Sequence, residues 1–150
     1  MNRLRRTFLQ MTGAALAVGS GLVRSGAAIA ATWNKAGFES KAAADAIKAL
    51  GATGAADSKD IVITAPDIAE NGAVVPIAVA SRIANTRSIS IIAEKNPFPL
   101  VATFELAGAD AYVSTRLKMG QTSNVRAIVQ ADGKFYTAVK EVKITIGGCG

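Results

Sequence analysis

The chain reads as a mainly β protein, an antiparallel β-sandwich that carries one N-terminal helix and ends in a flexible tail. Three observations predict this. Apolar residues alternate with polar or small ones in about seven short runs from Ile61 onward, and turn-forming residues interrupt those runs at intervals of about 8 to 12 residues. Helical periodicity is confined to the stretch from Asn34 to Leu50.

The elements follow in order. Residues 1–30 stand outside the fold: Arg5-Arg6-Thr7-Phe8-Leu9-Gln10 is a twin-arginine pattern, a modestly apolar stretch runs from Met11 to Val23, and Ala28-Ile29-Ala30 offers a small-residue cleavage site. The stretch is too short and too rich in Gly, Ala and Thr for a membrane span, which needs about 20 predominantly apolar residues. The expectation is a cleaved export signal, delivery to the periplasm by the twin-arginine route, and no stable membrane association. Residues 31–146 then form one domain and residues 147–150 a tail.

Phe38, Ala42, Ala46, Ile47 and Leu50 recur at helical spacing, with Asn34 as N-cap and Gly51 as the stop. After a polar connection, Ile61 to Thr64 forms a first strand, and Val75, Ile77 and Val79 alternate in a second, where Pro76 points to a sheet edge or a bulge. Ile89, Ile91 and Ala93 share a face of the third strand. Leu100, Ala102, Phe104 and Leu106 line one side of the fourth. The fifth sets Ala111, Val113, Thr115, Leu117 and Met119 against Tyr112, Ser114, Arg116 and Lys118, an opposite face open either to solvent or to a partner. Val125, Ala127 and Val129 precede Asp132-Gly133, a hairpin signal, and the last strand runs from Phe135 to Ile146. Val139 and Val142 fall out of phase in it and suggest a bulge near Lys140-Glu141.

Charge and composition exclude several functions. The whole chain has 17 basic and 11 acidic side chains, but four of the arginines lie in residues 1–30, so the remainder has 13 against 11, a net of +2. No basic run or aromatic-interleaved patch remains to suggest nucleic acid. With no histidine and one cysteine, the chain offers no zinc set, no haem attachment motif, no Cys/His nucleophile pair and no internal disulfide. Neither a catalytic residue, a cofactor nor a metal site is expected. Pairs such as Asp67 with Glu70, or Lys140 and Lys143 with Glu141, read as solvated surface.

The cysteine is the informative residue. Cys149 lies next to last, in Gly147-Gly148-Cys149-Gly150, where its neighbours have no side chains and no strand or helix pattern continues. Glycine permits either sign of φ and adds no bulk, so a thiol placed there can thread into a narrow pocket of another protein. No cation adjoins it in sequence, so its pKa should stay near the ordinary value of about 8.5 and activation must come from a partner's site. Three residues past Ile146 reach only about 10 Å, which calls for a shallow pocket or channel.

This tail, following Val142-Lys143-Ile144-Thr145-Ile146, resembles the C-terminus of the SoxY family, the sulfur-compound carriers of the bacterial Sox sulfur-oxidising system. Three further segments resemble the family: Ala65 to Pro76, Glu94-Lys95-Asn96-Pro97 with Phe104, and Arg116-Leu117-Lys118-Met119 with Gln121-Thr122-Ser123. The resemblance implies an immunoglobulin-like sandwich that pairs with a small β subunit, SoxZ, and carries substrate covalently on Cys149, with Gly147, Gly148 and Gly150 as the flexible arm. It also implies three partner enzymes: a c-type haem enzyme that conjugates thiosulfate to the thiol, a manganese hydrolase that releases sulfate and, in organisms that possess it, a molybdenum and haem sulfur dehydrogenase. The family tail usually has two glycines after the cysteine, and this one has a single glycine. The alternative reading is an exported binding module whose thiol forms an intermolecular disulfide or binds a soft metal, although one thiolate without a nearby Met or His is a poor Cu(I) site.

Overall fold

A computed structural model describes residues 33–145. The helical stretch is divided into α1 (Lys35–Glu39) and α2 (Ala43–Ala49). Nine strands follow: β1 (Ala56–Asp57), β2 (Ile61–Thr64), β3 (Ile68–Ala69), β4 (Val75–Ser81), β5 (Thr86–Ala93), β6 (Leu100–Glu105), β7 (Tyr112–Leu117), β8 (Ser123–Ala131) and β9 (Lys134–Ile144). They build a three-stranded antiparallel sheet, β2-β4-β7, and a larger sheet in the order β1-β9-β8-β5-β6, with β3 also paired to β9.

The principal core fills the space between the sheets. Ile61, Val75, Ile77, Val79, Val113 and Leu117 come from the smaller sheet and meet Ile89, Ile91, Val125, Val129 and Val142 of the larger. A second cluster lies on the outer face of the larger sheet, where Ile92, Leu100 and Ile128 pack against Ala46 and Ala52, with Phe38, Ile47 and Leu50 around them. The predicted sandwich, its strand alternation and the Asp132-Gly133 hairpin are therefore observed, the turn having φ of 48° and 72° at its two residues.

Five details differ from expectation. The single helix is two, because Ser40 (ψ 139°) and Ala42 (φ −119°, ψ 143°) are extended and the Ser40 hydroxyl donates to the Ala36 carbonyl at 2.7 Å. A straight 17-residue helix would extend about 25 Å and offer one narrow stripe, whereas the hairpin brings Phe38 and Ile47 onto the same patch of sheet. Asn34 caps α1 through Gly37 and also donates to the Ala49 carbonyl at 3.0 Å, tying the start of the hairpin to its end. Pro76 lies in the central strand of its sheet, not at an edge, but pairing with β2 stops at Ala78, so that flank is locally open.

The expected bulge in β9 is absent: its pairing with β8 holds one register from Lys134 to Val142. Val139 is simply an exposed valine on the outer face. Irregularities fall elsewhere: the register of β5 against β8 shifts between Thr86 and Ser88, and in β6 the register against β5 shifts between Ile91 and Ile92, making Val101 the extra residue. That shift turns Leu100 away from its expected companions Phe104 and Leu106 and into the helix cluster. Finally, β1 and β3 add two short parallel pairings to β9, so the larger sheet is mixed.

Candidate functional site

The tail residues Gly147, Gly148, Cys149 and Gly150 lie outside the described residues; what the structure does place is the strand end from which they depart. β9 is pinned there on both sides. On one flank Lys143 donates its N–H to the Asp67 carbonyl at 3.0 Å and Thr145 to that of Ala69 at 3.2 Å. The Lys140 ammonium reaches the Asp67 carboxylate at 3.0 Å and fastens the same segment. On the other flank β8 has ended, and the Thr122 hydroxyl takes the place of a backbone acceptor for the Ile144 N–H at 3.0 Å. The chain is held up to its last described residue.

A close approach explains Gly72. A Cβ on it would lie 2.3 Å from the Met119 carbonyl oxygen and 3.1 Å from Ile144 Cγ2, and Met119 N–H donates to the Gly72 carbonyl at 2.7 Å. No larger residue lets the loops after β3 and β7 meet beside the strand end. Met119 itself is buried.

The loop after β5 completes the surround. Asn96 donates to the Lys118 carbonyl at 2.7 Å, Gln121 to the Lys95 carbonyl at 3.3 Å, and Lys95 N–H to the Ser123 hydroxyl at 3.0 Å. Glu94 is fixed by Arg126 at 2.8 Å and Asn124 at 3.1 Å, a pair shielded enough from water to orient the loop. Beside it an open pocket of about 400 Å³ is lined by Asn96, Pro97, Phe98, Lys118 and Gly120.

Three stretches that are far apart in sequence, Ala65–Pro76, Glu94–Pro97 and Arg116–Ser123, thus gather round one strand end. The roles of Gly72, Asn96 and Thr122 were not legible in sequence, since each depends on a neighbour more than 20 residues away. Asp67 and Glu70 form no dyad, Asp67 being engaged by Lys140. Tyr112 and Arg116 lie on the exposed outer face of the smaller sheet, while Lys118 is carried beyond it to the pocket. Among the described residues no group of three His, Cys, Asp or Glu side chains is placed to hold a metal ion.

A two-sheet sandwich with a helix hairpin on one face and a last strand pinned on both flanks just before a cysteine-bearing tail has the build of a small carrier domain. The family model described as sulfur oxidation protein SoxY matches residues 47–149, and the chain belongs to that family. The structure of the sulfur carrier protein SoxY from Chlorobium limicola f thiosulfatophilum shares 43% identity at a TM-score of 0.60, covering 69% of this chain and 96% of that one. A superoxide reductase (neelaredoxin) from Ignicoccus hospitalis, 19% identical at a TM-score of 0.51 over 57% of this chain and 79% of its own, shares the fold alone. No curated protein sequence matches the chain.

Proposed function

We propose that the protein is a periplasmic carrier that holds thiosulfate-derived sulfur on Cys149 and presents it to partner enzymes, with no active site of its own. The observation that carries the reading is the pairing of a family match that runs through residue 149 with a strand end pinned up to Thr145. A fixed root with a short, bulk-free continuation lets a partner draw in the sulfur while the domain stays outside.

The chemistry belongs to the partners. Conjugation joins the Cys149 sulfur to the outer sulfur of thiosulfate, gives an S-thiosulfonate, and releases one proton and two electrons to a c-type haem enzyme. Hydrolysis by a manganese enzyme then breaks the bond between the sulfane and sulfonate sulfurs: water enters, sulfate and two protons leave, and a persulfide anion stays on the cysteine. A sulfur dehydrogenase, where the cell has one, oxidises that remaining sulfur. The twin-arginine signal, suited to folded cargo, agrees with export alongside a SoxZ-like β subunit. The reading assigns that subunit to the bare outer face of the smaller sheet, where Val62, Ala80 and Tyr112 form one cross-strand row.

Intact-mass spectrometry of protein from thiosulfate-grown cells tests it. The C-terminal peptide should gain about 112 Da for thiosulfonate or about 32 Da for each added sulfur atom. Cys149→Ser should fold, bind its partner subunit and lose every adduct together with thiosulfate-dependent electron transfer. Full activity in that variant would refute the carrier role.

A further inference from the structure

The strand that leads to the tail has an edge that the fold leaves open. Ala131 and Lys134 flank the two-residue turn, so even-numbered residues of β9 exchange bonds with β8 and odd-numbered ones direct N–H and C=O to the other flank. On that flank β1 pairs only as far as Thr137, whose carbonyl accepts from Ser58 N–H at 2.9 Å, and β3 begins only beside Lys143. From Thr137 to Lys143 is about 20 Å of strand. Within it the N–H and C=O of Val139 and of Glu141 meet no partner among the described residues. The Val139 side chain is exposed, and so is that of Ile68, which pairs with Lys143.

A pocket adjoins this opening on the outer face of the larger sheet. It encloses about 220 Å³ and is lined by Ile47, Ala52 and Ala55 above and by Arg126, Ile128 and Thr137 of the sheet below. Arg126 stands directly across from Val139 in the β8–β9 pairing, so pocket and opening are contiguous. The Arg126 guanidinium is only partly engaged: Nε and Nη2 donate to Glu94 Oε1 at 2.9 and 2.8 Å, and Nη1 reaches the Thr137 hydroxyl at 3.4 Å. Nη1 and Nη2 each keep one N–H with no acceptor among the described residues, and that edge of the fork matches a second carboxylate.

We infer that this is a docking site for the C-terminal end of a partner polypeptide, which adds to β9 as a short extended strand and sets its carboxylate on Arg126. β1 and β3 close the opening at both ends, so a chain end fits it and a strand running through does not. Exposed Val139 and Ile68 favour β-branched side chains on the guest. The site does not depend on the carrier reading. Where that reading holds, a guest on β9 brings its protein to within about 20 Å of the strand end that precedes Cys149.

The tetrapeptide acetyl-Thr-Val-Thr-Val with a free carboxylate tests it on the full chain, against the same peptide as its C-terminal carboxamide. A few backbone bonds and one charged pair support affinity only in the millimolar range. In ¹⁵N-resolved spectra the acid should shift the Val139 and Glu141 amides and the Arg126 Nε, and it should bind at least about fivefold more tightly than the carboxamide. Arg126→Gln should erase that preference. Val139→Pro deletes an N–H that no described residue accepts from, and should remove binding of both peptides. If Val139→Pro does not fold, Arg126→Gln decides alone, because its readout is the preference between two peptides.

Equal affinity for acid and carboxamide, shifts that avoid Val139 and Glu141, or no shift at about 10 mM peptide would overturn the site. Shifts of these amides on raising the protein concentration without peptide would assign the opening to a second copy and overturn it as well. None of these measurements involves sulfur on Cys149, so their outcome is separate from that of the mass measurement above.

Discussion

The two sheets present opposite outer faces. On the larger sheet the helix hairpin covers the outward Ile92, Leu100 and Ile128, and Ile92 is fully buried; on the smaller sheet the outward Val62 and Tyr112 remain 40% and 58% exposed. The difference shows in the strands themselves. Ser88 to Ala93 are buried without interruption because both faces of β5 are covered, whereas β7 keeps buried residues apart with exposed ones. Alternation therefore reports the cover over a strand as much as the strand. A bare apolar row on a small domain is also where a second subunit would have surface to gain.

Substitutions on each side can break or sharpen this contrast. The largest effect is expected from Ile92→Ala, which removes a buried side chain from between sheet and helices and should cost about 3 kcal/mol in denaturant unfolding. A loss below about 1 kcal/mol would mean that the hairpin is a loose cover. Gly72→Val comes next, at about 2 kcal/mol, because its side chain must displace the Met119 carbonyl; proteolysis should then open the chain near residues 67–74 before the rest unfolds.

Glu94→Ala should cost about 1 kcal/mol, since it leaves Arg126 and Asn124 without their shared acceptor on the partly covered face. Thermal unfolding in low and high salt would show whether charge carries that loss. Tyr112→Ala should change stability by less than about 0.5 kcal/mol, since its ring lies mostly in solvent. It should nonetheless weaken retention of a co-expressed partner subunit on an affinity column. Unchanged retention would move the docking surface elsewhere.

How far the sequence can be read depends on the range of the interaction that decides each feature. Strands β2, β4, β5, β7 and β8, the Asn34 cap and the Asp132-Gly133 turn were legible, because alternation, capping and turn chemistry act over a few neighbouring residues. The helix break at Ser40 to Ala42 was not. Alanine-rich sequence favours continuing the helix, and only the apolar patch of Ile92, Leu100 and Ile128 makes folding back worthwhile. Val139 was misread for a related reason: exposure on one face of β9 looks like a change of phase when the cover over that face is unknown.

The sequence by itself supplied the lone tail cysteine and the family resemblance on which the proposed carrier chemistry rests. With one cysteine and no histidine, the chain offers no Cys/His nucleophile pair and no internal disulfide. Tertiary structure alone decided how the strand before that cysteine is held. Gly72 against Met119, Thr122 on Ile144 and Lys140 on Asp67 each join residues more than 20 positions apart. Such contacts leave no local pattern, because they arise only when packing of the two sheets brings the loops to the same end.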